Sequence, residues 1–177
     1  KRRLRSHHKG YLWLMARPTP TFRAPMRARS LEADPFEGAL CGVENSLVGT
    51  GEPLERVPGD LDQAVFELSR QHGEKSARML QRFAGLDSGV LVWTRTGDDE
   101  FRLGMIDGPW RYEDSGESGR TGICQVRPAS WLPQVFTHVS APPGVAATFN
   151  RGGRNFQRIR DRATEIGSSR LWQDLND

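Results

Sequence analysis

Residues 90–112 read VLVWTRTGDDEFRLGMIDGPWRY. This stretch predicts a β-hairpin, with strands over 90–95 and 101–106 joined by turn residues 96–100. Val90, Val92 and Thr94 alternate with Leu91, Trp93 and Arg95, so each set belongs to one face. A lone hairpin is not stable in water, so the rest of the chain must wrap it. An aromatic-basic tail follows, Gly108-Pro109-Trp110-Arg111-Tyr112. Trp93 and Trp110 lie beside arginines, and stacking surfaces next to guanidinium groups are what a nucleobase pocket uses.

The chain has 177 residues, which suits one domain with a real core. Its composition is 36% hydrophobic and 27% charged, with a mean hydropathy of −0.61. No apolar run approaches the ~18 residues of a membrane span. The start, KRRLRSHHKG, has the charge of a signal peptide, but YLWLMA behind it is too short for an apolar h-region and Arg17 interrupts it. Net charge is +3, and the cations are 22 arginines against Lys1, Lys9 and Lys75. Arginine suits phosphates and base edges. A GC-rich coding sequence gives the same bias, so the positions of the arginines carry more meaning than their number. Cys41 and Cys124 stand in apolar contexts without metal-type spacing, which predicts buried thiols, with a disulfide between them as the alternative, a cytoplasmic protein and no metal or other cofactor.

Residues 1–9 form a basic arm, either frayed or touching phosphates. The single domain occupies 10–177. GYLWLMA (10–16) predicts a first, central strand, and 19–37 a loop. Ala39-Leu40-Cys41 reads as a buried strand end, followed by a turn at 42–45. Asn45 either reads a base edge or caps a turn or helix with its own side chain. Asp60 is an N-cap for a helical pair over 61–84, broken near Gly73. EDSGESGRTG (113–122) predicts an exposed loop, GICQVR (122–127) a strand, and 128–133 a turn with Trp131 in the core. Trp13 belongs to the core as well. Residues 148–156, TFNRGGRNF, combine glycines and arginines in a way that suits a phosphate. Residues 155–175 read as one amphipathic helix with Arg154, Arg158, Arg160 and Arg162 on its basic face.

The sequence has no GxSxG, HExxH, Walker loop or zinc-type cluster. His72 and His138 lack an evident partner. This favours a binding module over an enzyme, with a nuclease or hydrolase built on either histidine as the rival. Short strands with intervening helices predict an α+β domain with a curved mixed sheet.

Several pieces, in order, resemble one family. YLWLMARPTPTF is similar to the "YWLMKSEP"-like opening of EVE domains. CGVENSLVG resembles their "GVRNYQARN" segment, with Gly42, Val43 and Asn45 matching and Ser46 in place of the tyrosine. VLVWTRT stands where that family has "VLFYHS". FRLGMIDGPWRYE and ICQVRPASWL resemble the "LGRVTGPYRY" and "HVRPVEWL" pieces of modified-base-reading N-terminal domains in modification-dependent restriction proteins. The likeness covers about residues 10–162. It implies a PUA-like fold, a curved β-barrel with flanking helices, holding one flipped, modified nucleotide in an aromatic pocket. It further implies base contacts from Trp93, Trp110, Asn45, Ser46, Val43 and Tyr112, and phosphate contacts from Arg17, Arg111, Arg151 and Arg154. The partner implied is DNA with a modified cytosine or adenine, with modified or single-stranded RNA as the alternative and a restriction effector as a further partner.

Overall fold

The computed structural model describes residues 17–27, 33–51, 53–153 and 155–176. The basic arm, the strand expected at 10–16 with Trp13, and Arg154 lie outside the described residues. The chain folds as an α+β domain in which a mixed sheet curls strongly into a half-barrel, flanked by six helices among the described residues.

The hairpin forms as the alternation predicts. β3 (Leu91–Gly97) pairs antiparallel with β4 (Glu100–Ile106), with a bulge between Arg95 and Gly97. Val90 and Val92 enter one core, Leu91 and Trp93 the other. The first core is closed by α1 (Glu37–Glu44), α2 (Leu61–His72) and α3 (Glu74–Ala84), and contains Ala39, Leu68, Leu80 and Phe83. The second is closed by α5 (Pro143–Asn150) and α6 (Arg162–Leu175), and contains Val145, Phe149 and Trp172. Leu80 and Phe83 are at most 1% exposed, and burying each such side chain contributes about 1.5–3 kcal/mol.

The remaining strands are β1 (Thr21–Arg23), β2 (Leu47–Thr50), β5 (Arg111–Tyr112), β6 (Gln125–Trp131) and β7 (Gln157–Arg158). The order across the sheet is β2-β6-β4-β3-β1-β7, with β5 also on β6. β1 runs parallel to β3 and antiparallel to β7. β6 serves three neighbours: its first half pairs with β2 and β5, its second half with β4.

Several local expectations are corrected. Residues 39–41 are helical, in an α1 that packs Gly38 against the Met26 backbone and Gly42 against the Met26 side chain; a Cβ on Gly38 would lie 2.0 Å from the Met26 carbonyl oxygen. The expected loop at 19–37 contains β1. Residues 113–122 include α4 (Gly116–Thr121), capped by Ser115 and burying Ser118 and Thr121. The expected turn at 128–133 is strand as far as Trp131. Pro128 sits where β6 passes from one partner to the next, and its carbonyl accepts from Asp107 N–H. Trp131 covers Gly104, where a Cβ would lie 2.5 Å from its ring. The long helix expected over 155–175 begins only at Arg162, where Asp161 accepts from Thr164 N–H at 3.1 Å; β7 precedes it.

The excursion between β4 and β5 is fixed from below by Arg127, which is 2% exposed. Its Nε donates to the Gly108 carbonyl at 2.8 Å, and one Nη donates to Phe83 and Leu86 carbonyls at 3.1 and 2.7 Å. Burial lowers its pKa while Asp87 opposes the shift. Gly108 is required there, since a Cβ would lie 2.5 Å from Pro128. Replacing Arg127 with Leu orphans three carbonyls from two segments. Chemical denaturation is expected to show a loss of about 3 kcal/mol, and a loss below about 0.5 kcal/mol would mean that these bonds contribute nothing net.

Candidate nucleic-acid interface

α3 turns Ala77, Leu80 and Phe83 inward, so its other side presents Lys75, Arg78 and Arg82. Their i, i+3, i+7 spacing draws a stripe about 10 Å long. Facing it is the chain around β7. Gly152 (φ 74°) and Gly153 (φ 91°) take left-handed backbone there, a conformation that costs a Cβ-bearing residue about 1 kcal/mol or more. The register Phe22↔Arg158 puts Phe156, Arg158 and Phe22 on one side of the β1–β7 pair. The Phe22 and Phe156 rings stack, with centroids 5.0 Å apart and planes 14° apart. Phe83 meets Phe156 edge-on at 5.0 Å and 70°.

The result is an open groove of about 1380 Å³ with an aromatic floor. Lys75, Arg78, Arg82, Arg158 and Arg160 line it together with Gln81, Asn155 and Gln157, and among the described residues no carboxylate lines it. Five cations there exceed the net +3 of the whole chain. Arg158 is held by the buried Glu165 at 2.9 Å, and Arg78 lies 3.9 Å from Glu74. Among the described residues Lys75, Arg82 and Arg160 pair with no carboxylate.

A smaller cavity of about 80 Å³ adjoins the groove and shares Ser76, Met79, Asn155 and Phe156 with it. Its walls are Ala24–Arg27, Gly49–Gly51 and the facing sides of α2 and α3. Thr94 Oγ1 holds the Ala24 carbonyl at 2.7 Å, and Met26 takes a left-handed φ of 47° with its sulfur accepting from Gly49 N–H. His72 lines the cavity, and its Nε2 is buried with no hydrogen-bond partner among the described residues.

The residues implied by the family resemblance do not converge on one cavity. Trp93 is 0% exposed, donates from Nε1 to Ser168 Oγ at 2.9 Å and meets Phe136 edge-on, so it is core and has no face for a base. Trp110 packs against the other core and donates to Gln125 Oε1 at 3.0 Å. Asn45 ends α1, its side chain donating to the Cys41 carbonyl at 2.8 Å, which is the capping alternative. Ser46 follows with φ 55°, and Val43 is half-buried on the same helix end. The Tyr112 hydroxyl accepts from Leu54 N–H at 2.8 Å, and burial raises its pKa. Arg111 pairs with Glu113; Arg17 and Arg151 are exposed. None of these residues lines the groove or the cavity.

In the sequence, Lys75, Arg78 and Arg82 fall within the helical pair expected over 61–84, and Arg158 and Arg160 within the basic face expected of a terminal helix. What the sequence did not show is that these two faces meet across Phe22 and Phe156. Elsewhere, His138 receives the Asp99 carboxylate of the hairpin turn at both its backbone N–H and Nδ1, each at 2.7 Å, and this lowers the Asp99 pKa. Among the described residues no three or more His, Cys, Asp or Glu gather as metal ligands, and no helix is long and apolar enough to cross a membrane. Comparison with known protein families and with curated proteins finds no match to this chain.

An unpartnered buried polar atom costs about 1–3 kcal/mol. His72→Leu is therefore expected to raise the unfolding free energy by about 1 kcal/mol. Trp93→Ala empties a core position and is expected to lower it by about 3–5 kcal/mol. Urea unfolding of both variants checks the pair; a destabilised His72→Leu would make His72 a satisfied core residue.

Proposed function

We propose that this chain is a nucleic-acid-binding module that lays a strand along the groove between α3 and β7 and holds one base out of its stack at the groove's aromatic floor. The observation that carries this reading is the groove itself: among the described residues, five cations and no carboxylate, around stacked Phe22 and Phe156. Cations of this kind release the counterions of phosphates, a term that supplies most sequence-independent affinity. Aromatic faces at the bottom of a cationic channel add about 1–3 kcal/mol per stacked base, enough to offset the few kcal/mol needed to unstack one.

The finer reading follows the resemblance to EVE-like and restriction-associated domains: a PUA-like, non-enzymatic reader of a modified cytosine or adenine in DNA, acting in the cytoplasm with an effector.

The test is a titration of the full chain with labelled DNA carrying or lacking a modified base, at several salt concentrations, with matched RNA as competitor. The Lys75→Glu/Arg82→Glu chain is expected to bind at least tenfold more weakly and to lose about 2 from the slope of log affinity on log salt. Undiminished binding by that variant would overturn the groove reading. Equal affinity for modified and plain DNA would leave the groove and remove the modified base.

A further inference from the structure

We infer that Phe156 stacks one unpaired base of the bound strand and that His72 reads that base's hydrogen-bonding edge from the adjoining cavity. This rests on the nucleic-acid reading of the groove. Phe156 is the aromatic residue common to groove and cavity. Phe22 backs its ring and Phe83 braces it at an edge, while the side chain stays half-exposed. The ring is thus fixed before any ligand arrives, and a preformed platform gives up little freedom on binding.

The dimensions decide how far the base enters. A cavity of about 80 Å³ is smaller than the roughly 150 Å³ that houses a benzene-sized guest. A whole base therefore stays at the mouth, on Phe156, and only its edge points inward. That edge meets His72, whose Nε2 is buried and uncommitted. The neighbouring Ser76 hydroxyl is already donated to the His72 carbonyl at 3.2 Å. A neutral imidazole offers one donor and one acceptor, so the tautomer selects a ring nitrogen or carbonyl on the base, or its amino group. In a duplex the Watson–Crick edge is occupied by the partner base. The base that fits is one without a pairing partner.

The test uses the full chain and short single-stranded oligonucleotides that carry one variable base amid abasic positions, followed by fluorescence anisotropy. The wild-type chain is expected to prefer one of the four bases by about tenfold. His72→Leu is expected to flatten that preference to within about twofold while binding the abasic strand as before. Phe156→Leu keeps an apolar filler but no π-face, and is expected to lower affinity for base-bearing strands about tenfold, to the abasic level; Phe156→Trp restores it. A His72→Leu chain that keeps the wild-type preference, or a Phe156→Leu chain that binds as the wild type does, overturns the inference. Equal binding of all four bases by the wild type overturns it too, with the groove intact. Undiminished binding by the Lys75→Glu/Arg82→Glu chain overturns the groove and this inference together.

Discussion

Three residues, Thr21–Arg23, hold the two sides of this molecule in register. β1 is bonded to β3 on one edge and to β7 on the other, so it fixes where the chain returns after α5. Its alternation then divides the labour. Phe22 points to the groove and receives Phe156. Arg23 points the other way, is 5% exposed, and donates from Nη1 to the carbonyls of Thr148 and Gly152 at 2.5 and 2.8 Å. Those carbonyls lie at the C-terminal end of α5, where the helix dipole welcomes a cation. Burial, with Arg151 nearby, lowers the Arg23 pKa. Without this strand, Phe156 has no ring to stack on and the cations of α3 face open water.

The groove then follows from simple demands on two segments. α3 must bury Ala77, Leu80 and Phe83, and that commits its cations to the opposite side. β7 must pair with β1, and that commits Phe156 and Arg158 to the same space. Clustered like charges repel in the unliganded protein; Glu165 relieves the repulsion at Arg158 and Glu74 more distantly at Arg78. A polyanion relieves such repulsion at every position, and this is the electrostatic argument for the proposed nucleic-acid strand over an apolar partner.

Much of the scaffold was legible in the sequence. The period-two pattern of 90–106 placed the hairpin and both its faces, and Asp60 with Leu61, Ala64 and Leu68 placed α2. The candidate site was not. Trp93 looked like a stacking residue because tryptophan beside arginine suits that role, yet the same alternation that put it on a sheet face put that face under α5 and α6. Phe22 sat in a segment that reads as loop, since three residues between prolines and arginines carry little strand signal. Arg158 and Arg160 matched a helical face by spacing, but Asp161 starts α6 after them. In each case a contact distant in sequence overruled the local pattern.

Where a strand touches the surface is the most direct measurement. An oligonucleotide bearing photoreactive bases, irradiated with the full chain and mapped by mass spectrometry, reports the residues within reach of the bases. The groove reading predicts crosslinks to Phe156 and to the peptide spanning 72–82. Crosslinks confined to Trp110, Tyr112 or the Val43–Ser46 segment, with none at 72–82 or 155–160, would contradict it.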